Sequence, residues 1–263
     1  NPPGCSTAGW MSEKGRGVAQ SFPTAIRLYT KGCDQKHGAG CTNLGYLTEM
    51  GWGGLSKDMN RAYYYYKLGC DYESGIGCAN LAYCYENGRA VPQNYTEAVR
   101  LYRKSCDMQA GRGCGNLGYL TEMGLGTTAS IPGAVELYRK GCELGSANAC
   151  ANLGYMYEKG RGLDQNVNEA ARLYRQRCDD GEARGGNNLG NHTGSGSGVT
   201  MDLEKAAVLY RQGCEGGNGT GCTNLGLMYQ YGRGVGQSIA KAREYYQKGC
   251  DYGNTSGCEN LKK

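Results

Sequence analysis

Cysteine is the residue in this 263-residue chain whose number and spacing point first to chemistry: there are 15, and most fall in pairs eight residues apart. The pairs are Cys33 with Cys41, Cys70 with Cys78, Cys106 with Cys114, Cys142 with Cys150, Cys214 with Cys222, and Cys250 with Cys258. Such pairs either close disulfides or supply half of a zinc site. Zinc requires four converging ligands, whereas these pairs lie a full repeat apart and the chain holds only 2 histidines, so disulfides are expected and no metal or cofactor is. Three cysteines are left unpaired. Cys5 aligns with the second member of a pair whose first member would precede residue 1, and Cys178 faces Gly186 where its partner should stand. Cys84 replaces the Met11, Leu47, Leu120, Met156 and Met228 of other repeats, so a buried free thiol is expected there.

The elements that position the cysteines repeat every 36 or 37 residues, as the leucine register Leu44, Leu81, Leu117, Leu153, Leu189, Leu225 and Leu261 shows. A second register, Ala25, Ala62, Ala98, Ala134, Ala170, Ala206 and Ala242, precedes tyrosine by four residues and cysteine by eight. That spacing puts alanine, tyrosine and cysteine on one buried face of a helix. The small residue after each leucine (Gly45, Ala82, Gly118, Gly154, Gly190, Gly226) is expected to let a second helix approach closely. Each repeat is thus helix, glycine turn, helix, and the chain reads as one array, residues 1–263, with both ends cut within a repeat.

The stretch NLGYMYEKGRG, the EAARLY helix and the cysteine pairs resemble the Sel1-like repeat family, related to tetratricopeptide arrays, and its cysteine-rich, disulfide-clamped secreted branch. The resemblance covers essentially the whole chain. It implies an all-α, right-handed αα solenoid of about seven repeats whose first helices line a concave, partner-holding face. Each cysteine pair would tie the end of one repeat to the start of the next, stabilising by roughly 2.5 kcal/mol in the chain-entropy estimate. An oxidising compartment follows: secreted, extracellular or periplasmic.

Residues 186–213 form a degenerate repeat, GNNLGNHTGSGSG standing where its neighbour reads CANLGYMYEKGRG. Its first helix is expected to be short, with loop from Gly194 to Gly198 as a hinge or lateral contact and His192 beside it. In four turns an arginine (Arg16, Arg89, Arg161, Arg233) alternates with Trp52, Leu125 and Ser197. Glu13, Glu86 and Glu158 stand three residues earlier, placed to pair with that arginine across the helix end.

Some relatives in the cysteine-rich branch are associated with β-lactams, and Ser238 with Lys241 matches SxxK. Neither an SDN nor a KTG element accompanies it, and Ser238 stands where a helix should begin, so it reads as an N-cap. Glu13, Glu49, Glu86, Glu122 and Glu158 are a repeat apart, too far for paired-carboxylate hydrolysis. His37 lies in a clamp loop and is expected to be solvated. The asparagine register Asn43, Asn80, Asn116, Asn152 and Asn224 is the binding candidate, since amides on a concave face can hold an extended peptide backbone. The competing reading, preferred on sequence, is that they satisfy loop carbonyls near helix starts. Asn94, Asn191, Asn218 and Asn254 open N-glycosylation sequons, the last two in clamp loops where a glycan would point outward.

The net charge of +5 comes largely from cations in the last turns of helices, which the macrodipole favours, so nucleic acid is not an expected partner. No apolar run is long enough to span a bilayer, and the chain reads as a mature protein or a section of one. The function expected is a non-catalytic extracellular scaffold assembling with copies of itself, end to end or in filaments. A peptide-binding module is the alternative, and a β-lactam-directed protein the least supported reading.

Overall fold

A computed structural model describes residues 2–179, 190–191, 193–195 and 201–262, residues 2–3 and 175–179 by their backbone alone. Among these residues all regular structure is helical. The chain divides into two compact units, Asn1–Ala149 and Cys150–Lys263. The first unit holds α1 (Pro2–Lys14), α2 (Phe22–Asp34), α3 (Gly38–Met50), α4 (Met59–Asp71), α5 (Gly75–Asn87), α6 (Tyr95–Asp107), α7 (Gly111–Met123) and α8 (Ile131–Glu143). After α9 (Ala147–Lys159) the second unit continues with α10 (Val167–Asp179), α11 (Leu203–Glu215), α12 (Gly219–Tyr231), α13 (Ile239–Asp251) and α14 (Thr255–Asn260). Each of these fourteen helices but the last is 13 residues long.

Local sequence sets these limits. The second helix of each repeat opens on a capping side chain. Ser21, Asp58, Asn94, Ser130, Asp202 and Ser238 each accept the backbone N–H three residues on, which satisfies a donor the helix cannot. Ser238 therefore spends its hydroxyl on Lys241 N–H, at 3.3 Å. First helices end on a left-handed glycine, such as Gly51 at φ 70° and Gly232 at φ 64°. The next residue donates its N–H back to the helix: Trp52 to Leu47, Arg89 to Cys84, Leu125 to Leu120. Arginine, tryptophan and leucine thus alternate over one unchanging backbone device.

The repeat alanines, from Ala25 to Ala242, are 0–1% exposed, and Tyr29, Tyr66, Tyr102, Tyr138 and Tyr174 are equally buried. The glycine after each leucine serves these rings. A Cβ at Gly45, Gly118 or Gly226 would fall 2.6–2.9 Å from Tyr66, Tyr138 or Tyr246. The close approach expected between helix backbones is therefore an approach of a ring to a bare backbone, and Ala82 holds that place in one repeat.

The helix pairs are tied by disulfides Cys33–Cys41, Cys70–Cys78, Cys106–Cys114, Cys214–Cys222 and Cys250–Cys258, with Cα atoms 4.4–4.7 Å apart. Cys142 and Cys150 are disulfide-bonded as well. Cys5 is free and half-buried, and Cys84 is free and buried. The side chain of Cys178, and Gly186 and His192, lie outside the described residues. Gly194 and Ser195, expected as loop, are helical, and Ser195 Oγ donates to Asn191 O at 2.8 Å. That bond returns a side chain to the preceding helical turn.

Candidate binding face

A buried hydroxyl needs a partner, and the repeat tyrosines find theirs on the preceding first helix. Tyr29 donates to Glu13 at 2.8 Å, Tyr66 to Glu49 at 2.5 Å, Tyr102 to Glu86 at 2.5 Å, Tyr138 to Glu122 at 2.7 Å and Tyr174 to Glu158 at 3.1 Å. The asparagine of the following repeat completes the group where Asn43 hydrogen-bonds Tyr29 and Asn116 hydrogen-bonds Tyr102. Burial, reinforced by the neighbouring carboxylate, raises the phenols of Tyr29, Tyr66 and Tyr102 well above their ordinary range.

This ladder corrects several expectations. Three of the asparagines meet side chains: Asn43 and Asn116 serve tyrosines, and buried Asn80 accepts from Arg112 at 3.0 Å. Asn224 donates to Asn191 at 3.2 Å, and Asn152 is half-buried. The expected pairing of Arg89 with Glu86 gives way to one across repeats, Arg89 to Glu49 at 2.7 Å, because Glu86 is engaged by Tyr102. Arg16 instead lies over the Trp10 ring at 4.7 Å. His37 is half-buried rather than solvated, its Nδ1 2.6 Å from Ser6 Oγ. Of the sequons, Asn94 is exposed, but Asn218 and Asn254 are half-buried caps, and Asn254 also donates to Thr220. Their clamp-loop position turns the amides inward toward helix ends. Asn191 is exposed, with Oδ1 accepting from Tyr210 at 2.8 Å.

One turn beyond the asparagine position, the first helices α1, α3, α5, α7 and α9 each present a ring that sequence reasoning missed. Trp10, Tyr46, Tyr83 and Tyr119 in the first unit are 36–43% exposed, and Tyr155 in the second is 44% exposed. The signal was legible as the residue two after the register leucine. Cations dress several of these rings: Arg89 and Arg112 stand 5.6 and 5.9 Å from Tyr83, and Lys159 is 6.0 Å from Tyr155. A small cavity of about 110 Å³ lies between Tyr46, Tyr83, Tyr66, Glu49, Arg112 and Cys84. Burial, with help from Glu49, pushes the Cys84 thiol up to about 12, so it carries no nucleophile at neutral pH.

Stacked helix pairs clamped by disulfides, with an exposed ring on each of α1, α3, α5, α7 and α9, define an α-solenoid scaffold. The chain belongs to the Sel1 repeat family: the family's repeat model matches residues 5–37, 38–71, 75–109, 112–146, 147–181, 187–218 and 220–254. Among solved structures it is similar to a Sel1 repeat protein from Oxalobacter formigenes, at 25% identity and a TM-score of 0.75, over 93% of this chain and 96% of that one. It is also similar to a protective antigen of uropathogenic Escherichia coli displaying an SLR fold, at 26% identity and a TM-score of 0.69. That likeness covers 99% of this chain but 56% of the antigen, so the chain spans little more than half the antigen's length. An immunity protein from Pseudomonas aeruginosa, 17% identical with a TM-score of 0.58 over 80% of this chain and 81% of that one, shares the fold alone. No curated protein sequence matches. Sel1 repeats are scaffolds that mediate protein–protein interaction and are generally non-catalytic, and among the described residues no helix is long and apolar enough to cross a membrane.

Proposed function

We propose that the protein is a non-catalytic binding module that holds a segment of another protein along the exposed face of its first helices, in an oxidising compartment outside the cytoplasm. The observation that carries this reading is the ring ladder Trp10, Tyr46, Tyr83 and Tyr119, each ring more than a third exposed and two of them, Trp10 and Tyr83, within reach of a guanidinium. Tyrosine, tryptophan and arginine are the side chains that contribute most at protein interfaces, because they bury large areas with few rotors. The Glu–Tyr–Asn groups behind the rings hold the helices in place, leaving the rings to the partner. Stacking of all seven repeats as a single array belongs to the same proposal, and the disulfides support the compartment.

This reading ranks ahead of self-assembly, because a run of rings on the successive first helices α1, α3, α5 and α7 is a surface that a partner of different sequence can use. Selection of binders from a displayed random-peptide library, followed by calorimetry, tests it. Tyr83→Ala and Tyr119→Ala should each weaken the selected peptides at least tenfold with helicity unchanged. Peptides that bind both variants as tightly as the parent would refute the assignment.

A further inference from the structure

We propose that the second unit carries a distinct binding cavity for a carboxylate attached to an aromatic body, formed where one repeat lacks the two side chains that stand in the same place in the five repeats before it. In the glutamate register Glu13, Glu49, Glu86, Glu122 and Glu158, the next position is Gly194. In the ring register Trp10, Tyr46, Tyr83, Tyr119 and Tyr155, the next two positions are Asn191 and Leu227. A carboxylate and an aromatic ring are therefore missing from adjacent places on one helix face.

A cavity of about 440 Å³ occupies that place, within the roughly 300–1,000 Å³ of small-molecule sites. Leu203, Leu227, Met228 and Tyr231 supply its apolar wall, and Asn191, Asn224, Tyr210 and Arg233 its polar groups. Three observations assign the charge of the occupant. The hydroxyl of Tyr210, whose five preceding counterparts donate to a glutamate, turns instead to Asn191 Oδ1 at 2.8 Å. Arg233 lies 5.6 Å from the Tyr231 ring, and among the described residues no carboxylate pairs with it. Among the described residues, no acidic side chain lines the cavity. An incoming carboxylate would take the place of the missing glutamate, accepting from Tyr210 and neutralising Arg233, while its ring lies between Leu227 and Tyr231. The cavity is sterically open to this exchange, since a Cβ at Gly194 would meet only Ala206 at 3.4 Å and the Tyr210 hydroxyl at 3.8 Å.

The same chemistry is offered by a free aromatic acid and by a peptide ending in an aromatic residue, so both are used as probes. Calorimetry with 3-(4-hydroxyphenyl)propionate, with an acetylated tripeptide ending in tyrosine, and with the amide of each is the experiment. At least one acid should bind saturably, and its amide at least tenfold more weakly. Binding of the free acid alone identifies a small-molecule site, and binding of the tripeptide alone a chain-terminus site; either supports the assignment. Gly194→Glu, which restores the missing carboxylate, should abolish binding, and Arg233→Gln should weaken it at least tenfold. Thermal unfolding identifies any variant that fails to fold, in which case Arg233→Gln, at an exposed position, decides alone. Failure of both acids at millimolar concentration, equal binding of acid and amide, or full affinity in folded Gly194→Glu would each overturn the proposal.

Discussion

Alkali should unfold this protein through the tyrosine ladder. Tyr29, Tyr66 and Tyr102 are 0–1% exposed and donate to carboxylates, so burial and the adjacent negative charge hold their folded phenols far above the value near 10 that they take when unfolded. The stability they provide is complete below about pH 10 and is lost as pH rises toward the folded values, because the unfolded chain releases protons that the native one keeps. At pH 11 each such tyrosine costs about 1.4 kcal/mol, and three together about 4 kcal/mol, a large share of the 5–15 kcal/mol typical of whole domains. Urea unfolding followed by circular dichroism at pH 8, 10 and 11 measures the loss, and phenolate absorbance near 295 nm follows ionisation. The buried phenols should ionise only as helicity disappears. In Tyr102→Phe, stability at pH 8 should fall by about 2 kcal/mol, the lost bond to Glu86 being charge-assisted, and the further fall to pH 11 should shrink by about 1.4 kcal/mol. Full phenol ionisation near pH 10 with helicity intact, or equal stability at pH 8 and 11, would refute the reasoning.

Three further outcomes are expected. Replacing Cys70 and Cys78 by serine should lower stability by about 2.5 kcal/mol, as measured by urea midpoint, because it reopens a loop spanning eight residues. Ala90, held at φ 64° where other repeats carry glycine, is strained, so Ala90→Gly should raise stability by about 0.5–1 kcal/mol in thermal unfolding. Thiol labelling at pH 8 with peptide mapping should modify half-buried Cys5 in the native protein and Cys84 only on unfolding, since that thiol is buried and its ionisation is pushed up to about 12.

The periodic features were the legible ones. Alanine, tyrosine and cysteine four residues apart announced a buried helix face, and Ser238 before Ile-Ala-Lys announced a cap, because both depend on neighbours close in sequence. The Glu–Tyr–Asn groups are not legible in the sequence, although every member stands in a register of its own. Glu86 and Tyr102 are 16 residues apart, and only the angle at which the glycine turn returns the chain brings them together. Glu49 with Arg89, 40 residues apart, was hidden for the same reason. The vacancy at Gly194 was visible as a lapse in the pattern, but reading it as a cavity required knowing that the lost glutamate faced Tyr210's counterparts.

The turn between α3 and α4 runs from residue 51 to 58, one residue longer than the seven between α1 and α2 or between α5 and α6. Tyr66 still reaches Glu49, across 17 positions instead of 16, and Gly53 and Gly54, both at positive φ, lie in the enlarged turn. The extra residue is absorbed at the tip of the turn: Trp52 and Leu55 still pack on the helices, while a Cβ at Gly54 would meet nothing within 4 Å. The open space at Gly54 makes that position a natural point at which a loop carrying a label, a protease site or a second recognition sequence can be grafted while Trp52 and Leu55 keep their contacts.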